Sequence, residues 1–83
     1  MKYSMYNVVW YDGVEAYVTK FVLSENEKNA KIDLLGWWCE EGCDGEILKL
    51  DRLYVVSLEN IIALRNGNDE QIRTFNRFEE MYF

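Results

Sequence analysis

Residues 33 to 43, Asp-Leu-Leu-Gly-Trp-Trp-Cys-Glu-Glu-Gly-Cys, gather the side chains in this sequence best suited to chemistry. Cys39 and Cys43 are four apart, so a helix reaching both would set two thiols on one face as half of a zinc site, with Glu40, Glu41 or Asp44 to complete it. Structural zinc asks for four ligands drawn mostly from Cys and His. The chain has two cysteines and no histidine, so no metal is expected. A redox role fits no better, because the pair is not Cys-x-x-Cys and no basic neighbour favours a thiolate. The sequence reads Cys39 as a small apolar residue beside the core and Cys43 as a turn residue.

Glu40, Glu41, Asp44 and Glu46 raise the question of paired carboxylates working as acid and base. Successive residues on a helix point about 100° apart, so Glu40 and Glu41 cannot converge on one substrate. The alternating Asp pattern of a calcium loop is missing. The absence of histidine also removes the usual general base near neutral pH and every Ser-His or Cys-His nucleophile. No catalytic residue and no cofactor are therefore expected.

Charge is a more informative signal. The net charge is −6, and residues 32 to 48 carry Asp33, Glu40, Glu41, Asp44 and Glu46 with no lysine or arginine among them. A negative field of this kind repels phosphate backbones and anionic lipid, which argues against direct nucleic-acid or membrane binding and favours a protein partner with a basic surface. An aromatic anchor with an acidic rim is a plausible contact of that type. It assigns partner binding to Trp37, Glu40, Glu41, Asp44 and Glu46.

The elements that must position these residues are legible in outline. Residues 5 to 11 and 14 to 23 are rich in aromatic and β-branched residues and flank Asp12-Gly13, a strong hairpin signal. A two-residue loop pairs Tyr11 with Val14, Val9 with Ala16 and Val8 with Tyr17. Val9, Tyr11, Val14, Ala16 and Val18 then share one face, and Tyr6, Val8, Trp10 and Tyr17 the other. Both faces are apolar, so either the sheet is covered twice or one face meets a partner. Ser24-Glu25-Asn26-Glu27 has the form of a capping box and predicts a helix from Glu25, stopped by Gly42. Gly36 is the weak point inside it.

On that helix Ala30, Leu34, Trp37 and Trp38 fall in one arc, widened by Ile32, Leu35 and Cys39. Trp38 lies near its middle and is expected in the core, whereas Trp37 and Ile32 lie at its margins. Residues 46 to 57 read as a strand, with a break near Asp51-Arg52. A polar corner at 57 to 60 precedes a further strand at 61 to 65. Asn68 and Gln71 form a second capping box, opening a helix that aligns Ile72, Phe75, Phe78 and Tyr82.

The predicted order is ββαββα, an α+β single domain over residues 1 to 83 with an antiparallel sheet and two helices. The start shows no leader-like apolar stretch, and no run approaches a membrane span, so a cytoplasmic protein is expected. The functional expectation is a small acidic, non-catalytic protein-binding module. By size and charge alone it is analogous to phage or mobile-element inhibitors that occupy basic nucleic-acid-binding surfaces of host defence proteins. The alternative is a self-associating structural or accessory protein acting as a homo-oligomer, a homodimer or larger assembly joined through the hairpin and the aromatic end Met81-Tyr82-Phe83.

Overall fold

The computed structural model describes residues 2–42 and 45–83. Six elements follow in order: β1 (Tyr3–Tyr11), β2 (Ala16–Ser24), α1 (Glu27–Glu40), β3 (Glu46–Val56), α2 (Leu58–Arg65) and α3 (Asp69–Tyr82). The strands form one antiparallel sheet in the order β2-β1-β3. The α+β class and the antiparallel sheet are as the sequence predicts, and the expected order holds except at its fifth element.

The hairpin forms with a longer loop than expected. Tyr11 pairs with Ala16 and Trp10 with Tyr17, leaving Asp12 to Glu15 as the turn. Asp12 fixes it, since Oδ1 accepts from the amides of Val14 and Glu15, both at 2.8 Å, and Asp12 N donates to Glu15 O at 3.1 Å. The register moves by two residues, so each side chain keeps its expected face.

Both faces of the sheet are covered. On the first, Tyr6, Val8, Phe21 and Leu23 pack against Ala30, Leu34 and Trp38 of α1, with Trp10 and Ile47 alongside. On the second, Met5, Val22 and Val56 pack against Ile61 and Leu64 of α2 and Phe78 of α3. Cover on the second face stops short of the hairpin end, where Tyr11 and Val18 are exposed.

Two expectations about the helices need correction. Ser24 does not cap α1: it pairs with Tyr3 as the last residue of β2. Extended pairing carries the chain two residues further, and Asn26 becomes the cap, its Oδ1 accepting from Lys28 N at 2.9 Å and Asn29 N at 3.3 Å. Residues 61 to 65 are not a strand but the body of α2. Ser57 Oγ accepts from Asn60 N at 3.2 Å, and the i, i+3 pair Ile61 and Leu64 is buried against the sheet. The β-branched pair Ile61-Ile62 yields to this cap and burial. Gly42, with φ of 73°, ends α1 as predicted, and Asn68 with Gln71 forms the expected capping box on α3.

β3 carries two bulges against β1, opposite the Met5/Tyr6 and Val9/Trp10 steps, which leave Leu53 and Leu48 without a β1 partner. α3 runs along the outer edge of β2. Phe78 reaches one core, and Met81 packs against the other. Arg77 lies 5.0 Å from the Phe21 ring centre and donates to Lys20 O at 3.1 Å.

Candidate partner-binding site

α1 buries only Ala30, Leu34 and Trp38, spaced four residues apart on the stripe that faces the sheet. The rest of the predicted apolar arc stays outside: Ile32 and Leu35 are exposed, and so is Cys39. Cys39, expected beside the core, follows core residue Trp38 with its own side chain exposed, since the sheet covers a narrower stripe than the arc. Cys43 lies outside the described residues. Among the described residues no three Cys, Asp or Glu side chains gather as metal ligands. None of the described helices is long and apolar enough to cross a membrane.

Trp38 is core, its ring centre 5.1 Å from that of Trp10. Trp37 is half-buried at the seam between α1 and α3. Its ring meets Phe21 edge-on at 5.5 Å, and its Nε1 donates to Glu80 Oε2 at 3.2 Å. Around it opens a notch of about 210 Å³, lined by Ile32, Asp33, Gly36, Trp37, Glu40 and Met81. Gly36 leaves room there, because a Cβ in its place would meet nothing within 4 Å.

Of the two acids that line the notch, Asp33 is held by the same seam. Asp33 Oδ2 accepts from the Tyr82 hydroxyl at 3.0 Å, and Tyr82 in turn accepts from Ser24 N at 3.2 Å, tying α1, β2 and α3 together. Burial, followed by the hydrogen bond to Asp33, keeps the Tyr82 phenol protonated well above its ordinary 10.0. Asp33 and Glu80 are therefore engaged. Glu40 is exposed and, among the described residues, makes no hydrogen bond or ion pair, so its charge is directed to solvent.

The five expected contact residues do not form one patch. Trp37 and Glu40 share the notch, and Glu41 follows as the exposed C-cap of α1. Glu46 lies on the other side of the helix, at the start of β3. There it lines a wider hollow of about 560 Å³ with Tyr11, Asp12, Leu35, Trp38 and Cys39 among others. The amides of Glu15 and Val14 hold the Asp12 carboxyl below the ordinary carboxylate range, so this hollow also carries fixed negative charge. Asp44 lies outside the described residues.

Sequence reasoning missed Asp33, Met81 and Glu80 as members of the site. Asp33 has a local signal, four residues before Trp37 on one helix face. Met81 and Glu80 sit 44 and 43 residues after Trp37, and only the packing of α3 brings them there. Comparison with protein-family models, with curated proteins and with solved structures gives no match.

Proposed function

We propose that this protein is an acidic, non-catalytic binding module that occupies a basic surface on a partner protein. The observation that supports the reading best is the notch at the α1–α3 seam, which has an aromatic wall, acidic groups at its rim and no lysine or arginine in its lining. The aliphatic stem of a partner's lysine or arginine fits along Ile32, Met81 and the Trp37 ring, while its cation meets Glu40. Glu41, Glu46 and Asp12 extend the negative field beyond the notch. They act mainly on encounter rate and on the choice of partner.

The reading is tested with a fluorescently labelled arginine- and lysine-rich peptide, followed by anisotropy at rising salt. Wild-type protein is expected to bind the peptide and to release it as ionic strength screens the exposed charges. Glu40→Lys should weaken binding more than Glu46→Lys, with an unchanged circular dichroism spectrum. Binding indifferent to salt and to Glu40→Lys would refute the proposal, as would no binding at all.

A further inference from the structure

The sheet has two edges, and the molecule treats them differently. α3 closes the β2 edge: Arg77 donates to Lys20 O at 3.1 Å, and the Tyr82 hydroxyl accepts from Ser24 N at 3.2 Å. These contacts also show which backbone groups of β2 point away from β1, namely those of the even-numbered residues. The bond from Glu25 N to Lys2 O continues the inner, odd-numbered set. By the alternation of an antiparallel ladder, the odd residues of β1 then bond to β3. Asn7 pairs with Asp51 and Val9 with Lys49, so Leu50 and Arg52 turn their backbone N–H and C=O outward. Among the described residues nothing caps them. Leu48, Leu53, Tyr54 and Val55 along the same strand are each about half exposed.

We infer that this open edge pairs with β3 of a second copy, antiparallel about a two-fold axis at Leu50, to give a continuous six-stranded sheet. An axis at Leu50 makes Leu50 a hydrogen-bonded pair with its own copy and sets Lys49 of each chain opposite Asp51 of the other. The charges decide the register. Moving the axis one residue either way sets Lys49 against Lys49 or Asp51 against Asp51, and like charges directly opposite are unfavourable. The bulges at Leu48 and Leu53 bracket the regular segment between them and blunt the strand against longer ladders. The outer edges of the dimer are the β2 edges, which α3 occupies at Lys20 and Ser24, so further pairing there is opposed over that half of the strand.

The test is the mass of the full chain by light scattering over a concentration series. A concentrated sample should approach twice the monomer mass of 9.9 kDa. Asp51→Lys should weaken the dimer by about tenfold, as two symmetric pairs become repulsive. Combining it with Lys49→Asp should restore the dimer. Leu50→Pro removes an N–H that β1 does not use, at a cost in packing because Leu50 also touches the first core, and should give a monomer that keeps the wild-type circular dichroism spectrum. A mass of one chain at every concentration would overturn the inference and leave the edge to an extended segment of some other protein. So would a dimer that ignores both Asp51→Lys and Leu50→Pro. The test is independent of the acidic notch, since Glu40→Lys should leave the mass unchanged.

Discussion

The two adjacent tryptophans have unequal environments, and that inequality is measurable. Trp38 is 2% exposed and sits between α1 and the first sheet face, so Trp38→Ala should cost about 3 to 5 kcal/mol in chemical denaturation. Trp37 keeps one side open and loses fewer contacts, so Trp37→Ala should cost about half as much and weaken peptide binding more than it weakens folding. Equal losses would contradict the placement of Trp37 at a surface seam. Tyr82 supplies a second test. Its phenol ionises near the ordinary 10.0 in the unfolded chain but at higher pH when folded, so the folded state holds the proton longer. The stability it lends is complete below pH 10.0 and disappears as pH rises from there through the folded value. Tyr6 is also raised, by burial first, and adds to the same alkaline loss. Tyr82→Phe should flatten the fall of melting temperature above pH 10.0 without abolishing it.

At the level of elements, caps and burial decide what local pattern leaves open. Asn26→Ala should cost about 1 kcal/mol by removing the α1 cap, whereas Ser24→Ala should change stability by less than about 0.5 kcal/mol. The reverse order would restore the helix start predicted from Ser-x-x-Glu. Gly36→Ala should raise stability by up to about 1 kcal/mol, since the helix gains propensity and the new methyl meets open space. The hairpin and α3 were legible because each joins a local turn or cap signal to a clear hydrophobic period, and α1 was legible mainly through its glycine stop at Gly42, since its apolar residues run around most of the helix and its cap lies two residues beyond Ser24. α2 was not, because Ile61-Ile62-Ala63-Leu64 suits a short strand as well as a helix. Only the Ser57 cap and the burial of Ile61 and Leu64, but not Ile62, separate the two. The site was legible to the same extent. Trp37 and Glu40 follow from the period of one helix, while Glu80 and Met81 require α3 to fold back along β2.

For the whole molecule, α3 is the element that links fold to function. It covers part of one sheet edge through Arg77 and Tyr82, completes the core with Phe78, lines the notch with Met81 and holds the Trp37 indole N–H through Glu80. Among the described residues, the acids of 32 to 48 are divided over two sides of α1, Asp33 and Glu40 beside Trp37 and Glu46 beside Tyr11 and Trp38. In the proposed function the Trp37 side receives a basic side chain. Following the indole N–H resonances of Trp37 and Trp38, two of the three tryptophans, in a nuclear magnetic resonance titration with an arginine- and lysine-rich peptide tests this directly. The Trp37 resonance, which reports the bond to Glu80, should shift progressively and return at high salt, while that of buried Trp38 stays in place. A titration that moves neither resonance, or that moves Trp38 and leaves Trp37 unchanged, would contradict it.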